Sequence, residues 1–303
     1  MDGGQGRLME RPQTPREKFS SWVISGRGNS PSHVLLSPAL FWILFFLVIP
    51  GILILLIGFT KLGPNESWGW TWTTENFRQA LNPFYLPLVI RTVSYAFLTT
   101  MICLCLGFPL AYYISQTPRQ YRGILTLFLM FPFWTSVLVT IYSWLIILGR
   151  EGLLNGVLMR MEIIKTPIQF LNTPFSLLLG LVYFYLPFIV LPLTACLEKI
   201  PISLLEAASD LGARPLTRFI KVTWPLVRPG VFAGCLLIFI PALGDFLTAE
   251  FLGGPRTYLL GNLIEDQFLS AQNWPFGAAL TTLLIAWLAA GLYFYNNIEN
   301  NRL

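Results

Sequence analysis

Six apolar runs divide the chain, at residues 35–59, 86–115, 123–148, 175–196, 230–252 and 276–294. Each is long enough to cross a hydrocarbon core, which takes about 20 helical residues. The segments between them carry the charges and most of the helix-breaking pairs, so the pattern predicts an all-α membrane protein with six transmembrane helices over 35–296. Residues 1–34 are polar and rich in Gly, Pro and Ser, which predicts a disordered tail. They lack a short basic start joined to an apolar run and a small-residue cleavage site, so they do not read as a signal peptide. Residues 297–303 form a short polar tail.

Prolines fall inside the runs at Pro109, Pro132, Pro187, Pro192 and Pro241. Each frees a backbone carbonyl, which a membrane tolerates where neighbouring helices or a wet cavity satisfy it. The spans are therefore expected to kink, as the helices of a moving or cavity-lining bundle do.

The longest charged interruption among the later runs is 197–229. Pro201 followed by Ser203 and Glu206 reads as a helix start with a capping box, and Leu204, Ala207, Ala208 and Leu211 repeat at helical spacing. Gly212 is placed to close that helix and Pro215 to open a second, which Trp224 and Pro225 are expected to stop. The segment is thus two short amphipathic helices about a glycine turn, carrying Arg214, Arg218 and Lys221. Its alternatives are a basic loop that only fixes topology and a docking element whose apolar stripe is covered by a partner.

Basic residues sort by side. With the N terminus in the cytoplasm, Arg7, Arg11, Arg16, Lys18, Arg27, Arg119, Arg122, Lys199, Arg214, Arg218, Lys221, Arg228 and Arg302 all lie inside. The outer loops keep Lys61, Arg78, Arg150, Arg160, Lys165 and Arg256, with Arg91 near a boundary. This asymmetry places both termini and the 197–229 loop in the cytoplasm. Outside, Trp68, Trp70 and Trp72 suit an interfacial belt, and 151–155 a short surface helix.

Composition narrows the chemistry. With 12% charged residues and a net charge of +5, the chain is no ordinary soluble domain and has no nucleic-acid signature. Cys103, Cys105, Cys196 and Cys235 lie in apolar runs without metal-ligand spacing, and His33, the one histidine, sits in the tail. No catalytic or metal-ligating set can be assembled, so no enzyme activity is expected.

Two acids inside the fifth run, Asp245 and Glu250, are the informative intramembrane charges. Five positions apart, they lie about 140° apart on a regular helix, so both can face one pore only if the helix breaks, which Pro241 and Gly244 permit. Asp245 is read as cavity-facing; Glu250, nearer the outer surface, reads more readily as an interfacial residue, paired across a subunit boundary or wetted at the outer face, than as one facing the path. An acid among aromatic rings suits a cationic amine, and Trp134, Tyr142, Trp144, Tyr183 and Tyr185 are the rings on offer. An ion-coupled secondary transporter would also use intramembrane acids, but the sequence shows no inverted halves.

Glu206-Ala207-Ala208, Gly212 four positions on, then Val222 and Trp224-Pro225 resemble the EAA loop of binding-protein-dependent ABC transporter permeases, with Val222 and Trp224 standing for the usual Ile and Leu. The segments 107–155 and 240–280 further resemble the spermidine/putrescine permeases. The resemblance implies a type I importer permease bundle in the bacterial inner membrane, paired with a second permease subunit, most often as a heterodimer. It implies an ATPase dimer docked inside, which binds the ATP, and a soluble periplasmic or lipid-anchored binding protein outside. Glu206, Ala207, Ala208, Gly212, Arg214, Arg218, Val222 and Pro225 would then couple to the ATPase. Asp245, Glu250, Trp134, Tyr142 and Tyr183 would line the path of a polyamine or another small solute. The chain has no phosphate-binding G-x-x-x-x-G-K-[ST] loop, so no cofactor is expected on it.

Overall fold

The computed structural model describes residues 32–62 and 68–300. Residues 1–31, which hold most of the polar tail and its five basic residues, and Arg302 lie outside the described residues. Helix α1 (Ser32–Ile43) begins ahead of the first apolar run and passes through a π-helical turn, Leu44–Val48, into α2 (Ile49–Gly58). The chain divides into two units, up to Ile54 and from Leu55 onward. In the first, rings four residues apart stack along one helix: Trp42 on Phe46 at 4.6 Å and Phe41 on Phe45 at 5.7 Å.

The second unit opens on a small antiparallel hairpin, β1 (Thr60–Leu62) with β2 (Trp68–Trp72), the one departure from an all-helical architecture among the described residues. The tryptophan-rich segment thus forms a strand, as a run of alternating aromatic residues favours. Helix α3 (Glu75–Ala80) follows, and the Asn76 amide donates to the carbonyls of Gly58 and Thr60, tying the hairpin to the end of α2.

Three long helices make the centre: α4 (Leu86–Gln116), α9 (Pro174–Leu197) and α12 (Trp224–Gly244). Between α4 and α9 lie α5 (Arg119–Leu129), α6 (Phe131–Trp134), α7 (Val137–Leu148) and α8 (Leu153–Arg160). Between α9 and α12 lie α10 (Ile202–Asp210) and α11 (Pro215–Arg218), and the chain ends on α13 (Leu260–Leu269) and α14 (Trp274–Asn300). Cys103, Ala111 and Ile114 of α4 meet Ile189, Val190 and Leu193 of α9 and Val227 and Ile238 of α12 in one buried cluster. Ile189 sits where a Cβ on Gly107 or Gly234 would lie 2.6 or 2.7 Å from it, so small residues on two helices let the third nest between them.

Six helical stretches are long and apolar enough to span a membrane. Four agree with the sequence pattern within a few residues; the third and fifth do not, running over 137–160 and 215–244 where 123–148 and 230–252 were expected. The third run is interrupted, because Thr135 and Ser136 are extended and part α6 from α7, and the spanning stretch starts at Val137. Pro132, which fits only a first helical turn or a kink, lies in the short α6 just before that break. The helix from Pro215 also does not stop at Trp224 and Pro225. A π-helical turn, Phe219–Thr223, carries it straight into α12, because a widened turn accommodates the carbonyl that Pro225 leaves unpaired.

Candidate functional site

Helix α12 ends at Gly244, and Asp245 and Phe246 leave helical geometry before a π-helical turn at Ala249–Gly253. The break expected from Pro241 and Gly244 is therefore present, and Asp245 caps both sides of it. One of its oxygens accepts from the Thr248 backbone N–H at 2.9 Å, as an N-cap does; the other accepts from the Thr248 hydroxyl at 3.1 Å. That second oxygen also accepts from the Tyr185 hydroxyl at 3.1 Å. Tyr185 is the twelfth residue of the 24-residue α9, about 17 Å from its N-terminal end, so the carboxylate lies near the middle of that spanning helix.

The chain then runs toward the start of α9 and folds back. The Leu252 carbonyl accepts from Asn172 N–H and from the Ser176 hydroxyl at the start of α9, which fixes the far end of this segment. Leu260 N–H donates to Thr92, six residues inside α4. A Cβ on Gly261 would lie 2.9 Å from the carbonyl oxygens of both Gly244 and Asp245, so α13 starts against the broken backbone itself. Asn262, buried, donates to the Phe246 carbonyl and to Glu250. Residues 246–269 thus fold back as a hairpin, with the start of α13 against Asp245.

A cavity of about 310 Å³ opens beside the break. Its walls are Pro132, Phe133, Thr135 and Val137 from the α6 to α7 junction, Phe184, Tyr185 and Phe188 from α9, and Asp245, Leu247 and Thr248. Asp245 makes no salt bridge among the described residues. The arrangement is one uncompensated carboxylate ringed by aromatic faces, a setting that attracts an organic cation by charge and by cation–π contact.

The sequence-predicted path residues separate here. Asp245 lines the cavity; Glu250 is exposed on the far side of the turn and receives the Asn262 amide. Trp134 points out of the bundle at 67% exposure, Tyr142 meets Phe251, and Tyr183 packs edge-on against Trp144. Trp134 and Tyr183 are each one residue from a wall residue, and one helical step of about 100° turns a side chain away, whereas Tyr142 is five positions beyond the nearest wall residue, Val137. The rings in place are Phe133, Phe184, Tyr185 and Phe188. The Asp-x-x-Thr spacing at 245–248, a helix-start signal, pointed to the break more directly than the acid alone.

On the opposite side, α10 starts at Ile202, one residue before Ser203, so the expected capping box does not form and Pro201 stands at the N-cap. Gly212 adopts φ +78° and closes α10 as expected. Ala213 N–H donates to Ala208 and Gly212 N–H to Ser209, the paired bonds of a Schellman turn. Arg218 donates to the Ser209 hydroxyl at 2.9 Å and braces the two arms. Glu206, Ala207, Arg214 and Pro225 are exposed, while Ala208, Arg218 and Val222 are half-buried. Ile202, Leu204, Leu211, Leu216 and Ile220 form an exposed apolar set, of which Leu211 is 89% exposed.

Comparison with known proteins agrees with this architecture. Residues 103–301 match the family described as binding-protein-dependent transport system inner membrane component. The spermidine/putrescine transport system permease protein PotB of Haemophilus influenzae is 40% identical over 264 residues, covering 86% of this chain and 92% of that one. PotB of Escherichia coli is 38% identical over 254 residues, 84% and 92% of the two chains. Among solved structures, a bacterial ABC transporter for import of the acidic polysaccharide alginate superposes with TM-score 0.70 at 17% identity, over 94% of this chain and 98% of that one. The likeness at that identity is one of fold.

Proposed function

The chain belongs to the binding-protein-dependent transport system inner membrane component family, and from that membership we propose that it carries polyamines inward, with Asp245 receiving one ammonium group in transit. As a family member it is a multi-pass permease subunit of an ABC importer and not an enzyme. The observation that carries the cargo is the mid-span carboxylate without a basic partner, set among Phe133, Phe184, Tyr185 and Phe188. The names of the PotB relatives point to the same class of substrate.

In this reading both termini and the 197–229 loop are cytoplasmic, as the distribution of Lys and Arg favours. The exposed apolar set around Gly212 seats in the ATPase subunits, with Glu206 and Arg214 at its rim, and ATP is bound there. A second permease subunit completes the path, and a soluble binding protein delivers the cargo outside. Closure of the ATPases displaces the loop, and the broken helices around Asp245 open the cavity to one side at a time.

The test is uptake of labelled spermidine and putrescine by vesicles that hold the full complex, with wild-type chain and with Asp245→Asn. ATP-dependent uptake that collapses in the variant supports the reading. Unchanged uptake in the variant returns Asp245 to a helix cap, and no polyamine uptake by wild type removes the cargo.

A further inference from the structure

We propose that Arg122 is a positioning residue that links the cytoplasmic coupling loop to the wall of the Asp245 cavity, an inference that rests on the importer reading above. The guanidinium sits where three cytoplasmic helix ends meet. Its Nη1 lies 3.2 Å from Oε1 of Glu198, the C-cap of α9 and the last acidic residue before the loop helix at Ile202. Its Nε donates at 2.6 Å to the carbonyl of Thr117, the C-cap of α4. Arg122 itself belongs to the first turns of α5.

Helix α5 is built to carry a displacement. Arg122, Leu125 and Leu129 fall on one face at helical spacing, and the two leucines pack on the buried cluster of α4, α9 and α12. On the other face Tyr121, Ile124 and Phe128 are exposed. The helix is therefore held to the bundle along one stripe, with the charge at its inner end. At its other end it passes through Met130 into α6, whose Pro132 and Phe133 form part of the cavity wall. The Phe133 ring meets Phe188 edge-on at 5.0 Å. Movement of the loop root at Glu198 thus reaches Phe133 through one rigid helix.

The chemistry suits arginine. A planar fork can donate to a carbonyl through Nε and to a carboxylate through Nη1 at once, which a lysine ammonium cannot do in that geometry. The two side chains are 28% and 38% exposed, so neutralising one partner leaves the other within reach of water, and the link can be cut without burying an unpaired charge. It is the salt bridge among the described residues, and it lies at this junction.

The experiment uses the full complex in proteoliposomes and reads polyamine uptake per ATP hydrolysed. Arg122→Gln and Glu198→Gln are each expected to lower that ratio about fivefold, while the double variant falls no further than either single one. Additive losses, or single variants with the wild-type ratio, overturn the link. A second readout needs no transport: spin labels at Gln120 and Lys199, both exposed, in a chain freed of its native cysteines. With Arg122 and Glu198 intact the label separation is expected to be narrow and to stay so when nucleotide is added, and to broaden in either Gln variant. Equal widths in all forms overturn the link. A wild-type complex that hydrolyses ATP without importing polyamine removes the cargo reading and leaves the label distances to decide this one.

Discussion

The Tyr185 hydroxyl and the Asp245 carboxylate, 60 positions apart in the chain, meet at 3.1 Å midway along α9. The bond gives the carboxylate a neutral partner that an arriving ammonium can replace. Asp245→Asn keeps an acceptor for the Thr248 N–H but loses the charge. Spermidine uptake is expected to fall by about tenfold or more, because charge-assisted bonds are roughly twice as strong as neutral ones. Tyr185→Phe removes one neutral donor, worth about 1 kcal/mol, and is expected to change KM by no more than about fivefold. Initial uptake rates against substrate concentration separate the two.

The 246–269 hairpin depends on a backbone contact. A methyl group at Gly261 would press on the carbonyl oxygens of Gly244 and Asp245, neither of which can rotate away. Gly261→Ala is expected to cost about 1–3 kcal/mol, the usual range for overpacking, and to lower the unfolding temperature of the detergent-solubilised protein. Gly123→Ala, inside α5 with open space at its Cβ, is the control and is expected to leave stability unchanged or slightly raised.

In the 197–229 loop, Gly212 holds φ +78° with nothing near its Cβ, so the cost of a side chain there is conformational alone. Gly212→Val is expected to strain the turn by about 1–3 kcal/mol and Gly212→Asn by less, because Asn visits the left-handed region more readily. Transport should follow the same order while membrane insertion stays intact. Gly212→Pro and Glu206→Lys are expected to abolish ATP-dependent uptake. Immunoblots of membranes beside uptake assays check both.

Asn155 pins the segment between Gly149 and Ile168. Buried at 1% exposure, its amide donates to the carbonyls of Gly149 and Ile168, and its oxygen accepts from Ile168 N–H at 2.9 Å. Asn155→Leu leaves those groups without their partner, at a cost of about 1–3 kcal/mol for a buried unsatisfied group. The expected result is faster cleavage by external protease between residues 150 and 173 in spheroplasts, with the spans still inserted.

Much of this protein was fixed by local pattern. Long apolar runs must be helices in a bilayer, because no water is there to pair the backbone, so six spans were legible from hydropathy. The glycine turn at Gly212 was legible because a left-handed residue after an apolar helical stripe has a residue-level signature, and the loop motif identified the family. The sequence also placed an acid at a breakable point in the fifth span.

What it left open were relations between residues far apart. Which rings surround Asp245 depends on how α9 rotates against the α6 to α7 junction, and one step along a helix exchanges Trp134 for Phe133 or Tyr183 for Phe184. Arg122 and Glu198 carry no mark that they meet, since their approach follows from the packing of α5 against α4 and α9. The continuation of the loop helix through Pro225 was likewise decided by context, because a π-helical turn next to the bundle absorbs what proline breaks in an isolated helix. Periodicity and breakers act within a turn or two of chain, whereas the partner of a side chain is chosen by the tertiary packing that brings distant helices together.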